Sequence, residues 1–359
     1  MVTLPTLRRP AAEFWRGKRV LLTGHTGFKG GWLALWLHRL GAEVHGISLA
    51  PVTEPNLFAC AGIASILHHH LCDIRDLDRL VALVRTAAPE IVLHLAAQPL
   101  VRASYTDPVG TLASNFMGTT HLLEAVRHCD DARVVLAITT DKVYRNLETT
   151  LPFKENDALG GHDPYSASKA AAEIVVASYR DAFLKNRGIA VASARAGNVI
   201  GGGDWSPDRL LPDALRAWQD GQPLLVRRPD AVRPWQHVLE PLNGYLLLAE
   251  HLWHTPNDAA AFNFGPATDE AASVREVIEL ARTVYGSGMV EWGDGTGGPH
   301  EAGWLALDTA KIRALLGLAP HWRLTESVRR SVEWYRRFEH STNARALCNA
   351  DIDDFEAGR

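Results

Sequence analysis

The chain has 359 residues, 47% of them hydrophobic and 22% charged, with a net charge of −4. Such a composition supports an ordinary globular core in one large or two modest domains. It offers no electrostatic attraction for nucleic acid or an acidic membrane surface, and no apolar run approaches the roughly 18 residues of a membrane span.

In chain order, Arg8, Arg9 and Pro10 are followed by Glu13 and Arg16 rather than by an apolar stretch, so no secretory leader is expected. Residues 19–23 are a β-branched and aliphatic run that reads as a buried strand. Gly24-His25-Thr26-Gly27-Phe28-Lys29-Gly30 comes next, then Trp32, Leu33, Trp36, Leu37 and Leu40 at helical spacing, with Gly41 as the stop. Strand, glycine turn and helix form the context of a dinucleotide-binding turn. Gly24 permits the tight turn, Gly27 lets a pyrophosphate approach the backbone, and Gly30 lets the helix lie on the sheet. The helix N-terminus offers unpaired N–H groups to phosphate. A plain tight turn is the bland alternative.

Residues 43–49 read as a second strand and residues 69–73 as a third. Asp76 caps a helix through Leu80, Val81 and Val84. His68-His69-His70 alternates across a strand, so three in a row do not converge on one ion and no metal is expected. Residues 91–95 and 133–139 are near-continuous apolar runs, as in a parallel sheet covered on both faces. The class is α/β: a doubly wound parallel sheet with its ligand at the strand C-termini and a smaller C-terminal substrate-binding domain. The expected division is 14–198 for the dinucleotide-binding domain with return segments near 235–264, 199–340 for the smaller domain, and 341–359 for a tail. Cys60, Cys72, Cys129 and Cys348 form no CxxC and read as reduced thiols of a cytoplasmic protein.

Tyr165-Ser166-Ala167-Ser168-Lys169 opens a helical run through Val176. Residues four apart share a face, so the ammonium can lower the phenol toward neutrality and make it a general base on a hydroxyl losing hydride. A surface helix carrying a Tyr and a Lys is the alternative. Thr139-Thr140-Asp141-Lys142-Val143-Tyr144 leaves the fifth strand at its C-terminal end. There Thr140 can orient a sugar hydroxyl and Asp141 with Lys142 can form an acid–base pair, unless the stretch is only a strand-exit turn with a surface ion pair. Asp73 can accept from an adenine amine, with Ile74 beside it. Leu95-Ala96-Ala97-Gln98 ends the fourth strand with small residues that let a cofactor lie close. The second strand ends Gly46-Ile47-Ser48-Leu49 without an acid for a ribose 2′-hydroxyl, which leaves NAD against NADP open.

Beyond residue 199 the pattern loosens. Gly201-Gly202-Gly203-Asp204 and Pro207 read as a mobile turn, and 222–224, 228–230 and 293–299 as loops. Phe262-Asn263-Phe264 reads as a return to the main sheet. Thr325 is the expected cap of a last helix through Val328, Val332, Tyr335 and Phe338. Arg329, Arg330, Arg336 and Arg337 read as its solvated face, and the stretch beyond Ser341 as partly disordered.

Taken together, Gly24 to Gly30, Asp73, Leu95 to Gln98, Asn115, Tyr165 and Lys169 resemble the extended short-chain dehydrogenase/reductase family. Thr140 and Asp141 next to Tyr165 and Lys169 are similar to the nucleotide-sugar 4,6-dehydratases within it, most of which carry Asp-Glu where this chain has Asp141-Lys142. That lysine resembles the branch acting on CDP-D-glucose. So do the Gly24–Gly30 stretch, Gly201-Gly202-Gly203-Asp204-Trp205, Pro55-Asn56-Leu57-Phe58 and His300-Glu301-Ala302-Gly303. The resemblance implies a Rossmann-like fold, NAD as cofactor and CDP-D-glucose as substrate, converted to CDP-4-dehydro-6-deoxy-D-glucose and water. It implies Thr140, Asp141, Lys142, Tyr165 and Lys169 as catalytic residues, with Lys142 either a base or an electrostatic group. Gly24, Thr26, Gly27, Phe28, Lys29, Gly30, Asp73, Ile74, residues 95–98, Asn115, Tyr165 and Lys169 would hold the cofactor. Gln98, Arg102, Ser104, Asn198, Arg209, Arg233 and His300 would hold the substrate. A homodimer or dimer of dimers through helices near 107–128 and 165–187 is implied too. The alternatives are a dTDP- or GDP-sugar 4,6-dehydratase, a UDP-sugar 4-epimerase, which needs no acid–base pair, and a non-catalytic NAD(P)-sensing protein.

Overall fold

The computed structural model describes residues 8–295, 302–340 and 343–359. Seven strands form one parallel sheet: β1 (Arg19–Thr23), β2 (Glu43–Ser48), β3 (His68–Leu71), β4 (Ile91–His94), β5 (Val134–Ile138), β6 (Ala190–Ala196) and β7 (Ala261–Phe264), in the order β7-β6-β5-β4-β1-β2-β3. The order reverses beside β1, where Thr23 pairs with Ile47 of β2 on one side and with His94 of β4 on the other. The 262–264 segment does return to the sheet, with Phe262 opposite Ala194.

Alternation along each strand divides the core into two layers. Leu21, Val92, Val135 and Val191 face α2 (Leu77–Ala87), α3 (Gly118–Arg127) and α4 (Pro164–Tyr179). Leu22, Leu93, Leu136 and Ala192 face the other way, with α1 (Phe28–Arg39) and α6 (Leu239–His254), which follows α5 (Leu210–Gln219). The capping side chains fix where the helices start. Asp76 accepts from Arg79 N to open α2, and Asp163 accepts from Ser166 N to open α4 behind Pro164. After β6 the chain builds short two-stranded pairs, 199–200 with 236–237, 232–233 with 272–273, and 224–226 with 290–292. They are interleaved with α5, α6, α7 (Val274–Tyr285) and α8 (Leu324–Glu339).

Several expectations are corrected. The turn at Gly201–Asp204 is buried rather than mobile. A Cβ on Gly202 would lie 2.0 Å from the Trp334 ring, and Tyr335 Oη accepts from Asp204 N at 2.9 Å. Helix α8 starts at Leu324 with Arg323 as N-cap, so Thr325 lies inside its first turn. Residues 343–359 are not disordered: α9 (Ala344–Ala357) buries Leu347, Cys348, Ile352 and Phe355. Its polar appearance came from charges that other helices satisfy. Trp36 Nε1 donates to Glu356 at 2.8 Å, Arg39 pairs with Asp353, and Arg345 Nε donates to Ala61 O at 2.7 Å. Arg330 is likewise no solvated residue. It is 9% exposed and pairs with Glu326, Asp351 and Asp354.

Cross-strand pairing also changes the histidine run. His68 lies opposite His45 of β2, and the ligand atoms of Glu43, His45 and His68 come within 4.8 Å of one another. His69 faces the other side and bonds His25 at 2.7 Å. Considering only consecutive residues missed the neighbouring strand. Cys72, Cys129 and Cys348 are buried free thiols. Among the described residues no helix is long and apolar enough to cross a membrane.

Candidate active site

The glycine turn is built by close approach. Gly24 has φ +80°, and a Cβ there would lie 2.7 Å from Ala96 N; one on Gly30 would lie 2.1 Å from Gly24 O. Gly27 differs: it is exposed, it is the N-cap of α1, and a Cβ would meet nothing nearer than Gly24 O at 3.5 Å. No side chain caps α1, so its first N–H groups face an open approach that suits a pyrophosphate. Thr26 Oγ1 ties the turn to β2 through Ser48 Oγ at 2.6 Å and Leu49 O at 2.9 Å. Thr23 Oγ1 accepts from Leu95 N and Ala96 N and contacts His94 Nδ1 at 2.7 Å, which fixes the end of β4. Burial pushes His94 down to about 3 and His25 down to about 4, so both are neutral at neutral pH. Burial, with Lys169 and Arg209 adding like charge, lowers Lys29 to about 7.

Other residues assigned to the cofactor have structural occupations. Asp73 is clamped by Arg75, whose hydrogen bonds hold the carboxyl below its usual range. Ile74 is core: its Cδ1 would lie 2.5 Å from a Cβ on Gly118. Asn115 is buried with its side chain spent on Gln98 N, Gln98 O and Ser168 Oγ, at 2.8, 3.0 and 2.9 Å. It joins the β4 exit to α4 rather than facing a ligand. Leu95, Ala96 and Ala97 remain half-exposed at the strand end.

The strand-end residues converge. Thr140 caps a short turn, Asp141–Val143, and its Oγ1 donates to Asp141 Oδ1 at 2.9 Å. Lys142 Nζ lies 3.1 Å from the same oxygen and 3.4 Å from Asn198 Oδ1. Asp141 is fully buried, and its Oδ2 has no hydrogen-bond partner. Tyr165 and Lys169 lie one helical turn apart in α4, and Lys169 Nζ donates to Ile138 O at 3.2 Å. Burial lowers Lys169 to about 8, with Glu173 opposing. The expected lowering of the Tyr165 phenol is corrected: burial raises it, opposed by the Arg209 charge and a Thr140 hydrogen bond. The phenol is deep enough for desolvation to outweigh the nearby cations.

Two adjoining cavities, about 380 and about 200 Å³, open from this point and share Arg102, Asn198, Arg209, Arg227 and Arg233. The smaller one reaches Lys142 and Ser166; the larger adds Arg228. Guanidinium groups at such density suit a diphosphate. Arg227 and Arg228 were missed because Arg228-Pro229-Asp230 reads only as a loop. Arg102 is held by Asp208 at 2.7 Å, and Arg209 donates to Pro99 O at 3.1 Å. Ser104 does not join them: it is fully buried and donates to Val101 O. Gln98 turns its amide to Thr111 and Leu100. His300 lies outside the described residues.

A parallel sheet that reverses beside a glycine-rich turn, with a Tyr–Lys helix at its strand ends, defines an enzyme of the short-chain dehydrogenase/reductase class. More particularly, the chain belongs to the GDP-mannose 4,6 dehydratase family, whose model matches residues 21–331. It is 43% identical over 349 residues to the CDP-glucose 4,6-dehydratase of Salmonella typhimurium strain LT2, covering 96% of this chain and 97% of that one. The dTDP-glucose 4,6-dehydratase of the same strain is 26% identical over 310 residues, 80% of this chain and 81% of that one. Among solved structures, MoeE5 in complex with UDP-glucose and NAD superposes with a TM-score of 0.76 at 25% identity, covering 89% of this chain and 99% of that one.

Proposed function

We propose that this chain is a lyase that converts CDP-D-glucose to CDP-4-dehydro-6-deoxy-D-glucose and water, with NAD as its cofactor. The observation that carries the reaction is the buried Asp141 carboxylate with one unpartnered oxygen, next to Lys142 and Tyr165. A 4-epimerase needs a tyrosine base but no such acid. The cytidine nucleotide rests on the near full-length likeness to the Salmonella enzyme.

The residues present fit a dinucleotide: an uncapped helix start, an exposed Gly27 and a fixed β4 exit. When bound, NAD supplies a reversible hydride acceptor beside the hexose. Tyr165 takes the proton of the 4-hydroxyl, with Arg209, Thr140, Lys169 and the positive charge that a bound nicotinamide would add favouring the phenolate against its burial. The resulting ketone acidifies the C5 hydrogen. The Asp141 carboxylate takes that hydrogen as a proton and passes it to the departing 6-hydroxyl, which leaves as water, while the Lys142 ammonium stabilises the enolate developing at C4 and C5. C6 would then regain the hydride taken from C4, and C5 a proton equivalent to the one Tyr165 removed. Arg209 and Arg233 grip the diphosphate, and Asn198 holds the junction of sugar and phosphate. Asp73 remains the proposed adenine acceptor. Residues 14–198 with returns near 235–264 form the proposed cofactor half, and 199–340 the substrate half. The exposed Val109, Leu112, Ile174 and Phe183 support a dimer through the helices that carry them.

Incubation with CDP-, dTDP-, GDP- and UDP-glucose, with and without added NAD, tests the proposal. Only CDP-glucose is expected to yield a product that absorbs near-ultraviolet light in strong alkali, as 4-keto-6-deoxy sugars do. Brisk turnover of dTDP-glucose would overturn the nucleotide assignment, and a non-absorbing epimer would overturn the reaction.

A further inference from the structure

One buried ion pair has no part in the chemistry above. Glu173 and Arg195 meet at 2.8 Å with side chains 3% and 4% exposed. Stripping two charges of water is expensive, and a pair of this kind seldom adds stability beyond what apolar residues would give. Its partners suggest another purpose. Glu173 lies on α4, one turn beyond Lys169 and two beyond Tyr165. Its Oε1 accepts from Thr139 Oγ1, and its Oε2 accepts from Ser193 Oγ at 2.7 Å as well as from Arg195. Arg195 Nη1 donates to Tyr144 Oη at 2.9 Å and to Glu155 O at 3.0 Å. Tyr144 Oη donates in turn to Asn263 Oδ1 of β7 at 2.6 Å.

Thr139 and Tyr144 bracket the reacting turn. Thr139 immediately precedes Thr140, and Tyr144 follows Val143, so both ends of the Thr140–Asp141–Lys142 segment are tied to the same two charges. The helix carrying Tyr165 is tied there as well, through Glu173 itself and through Lys169 to Ile138 O. We infer that the Glu173–Arg195 pair is a positioning device that sets the separation between the Tyr165 phenol and the Asp141–Lys142 turn. Two reactions on neighbouring carbons of one hexose need that separation kept to a fraction of an ångström. Neither residue lines the two cavities, so the pair acts on the chemical step and not on the grip on the nucleotide.

The inference deepens the dehydratase proposal and rests on it for its readout. Thr139→Val keeps shape and buries no charge, but it removes the tie between Glu173 and the turn. Its kcat is expected to fall about 10- to 100-fold with KM unchanged, while its unfolding midpoint falls no further than that of Ser193→Ala, which loses a like hydrogen bond to the same carboxylate. Glu173→Gln is expected to show the same split with a lower midpoint. Ser193→Ala removes a hydrogen bond to the same carboxylate without touching the turn, and is expected to lower the midpoint alone. Wild-type kcat in Thr139→Val would overturn the inference, as would a kcat loss in Ser193→Ala equal to that in Thr139→Val. Failure of the wild type on CDP-glucose would sink the substrate assignment instead, and the variants would then be compared on whichever nucleotide sugar it converts.

Discussion

Asp141 shows how burial prepares one side chain for one task. Its Oδ1 is held by the Thr140 hydroxyl and the Lys142 ammonium, which leaves Oδ2 as the free edge. Asp141→Asn keeps the shape but has no proton to give a departing hydroxyl. Its kcat is expected to fall by about 10²- to 10⁴-fold. Mass spectrometry of the nucleotide sugar is expected to show no loss of water, while affinity for the nucleotide is retained because the arginine cavity is untouched. Loss of binding in step with kcat would place Asp141 in recognition instead. Tyr165→Phe is expected to abolish turnover with binding likewise retained, as measured by calorimetry with CDP-glucose. Both residues were legible because each belongs to a local pattern, one turn of helix or one strand exit. The roles of Asn115 and Gln98 were not, since their hydrogen bonds are set by how the helical residues Thr111 and Asn115 fold back on the β4 exit, and Ser104 is spent on Val101 O within its own helix. Glu173 and Arg195 were opaque for a similar reason. Their meaning lies in Thr139 and Tyr144, to which no spacing rule connects them.

Among the elements, α6 carries a half-buried carboxylate with a pH signature. Glu240 Oε1 accepts from His321 N at 3.0 Å and Trp322 N at 2.6 Å, joining α6 to the approach to α8. Burial raises Glu240 from 4.5 to about 7, against those two hydrogen bonds. The folded state therefore holds this proton more tightly than the unfolded chain. The stabilisation is complete below pH 4.5 and is lost as pH rises through about 7. Above that, the partly desolvated charge costs at most about 3 kcal/mol, less where solvent screens it. Glu240→Gln keeps an acceptor without the charge. Its urea midpoint is expected to exceed that of the wild type at about pH 8, with the gain closing toward pH 4.5. A pH-independent difference would mean that Glu240 does not titrate in this range. The sheet strands were readable because both of their faces are covered, which writes them as continuous apolar runs. The edge strand β3 is written in histidines instead, and its partner on β2 was needed to make sense of them.

At the scale of the whole molecule, the α8–α9 end closes on the α1 beginning. Phe355 is fully buried among Trp36, His321 and Trp322. Phe355→Ala is expected to destabilise the protein by about 3–5 kcal/mol in urea unfolding. A change below about 1 kcal/mol would show α9 to be a loosely held appendage. Composition and hydropathy hid this helix, since Asp351, Asp353, Asp354 and Glu356 find partners on α1 and α8.

Trp36 and Glu356 stand 320 residues apart in the chain yet share a hydrogen bond. During synthesis, then, the helix behind the glycine turn waits for residues made 320 positions later before its indole is covered. A nascent chain stalled anywhere short of α9 carries that uncovered aromatic flank into the cell, where a chaperone or a protease meets it before any nucleotide does.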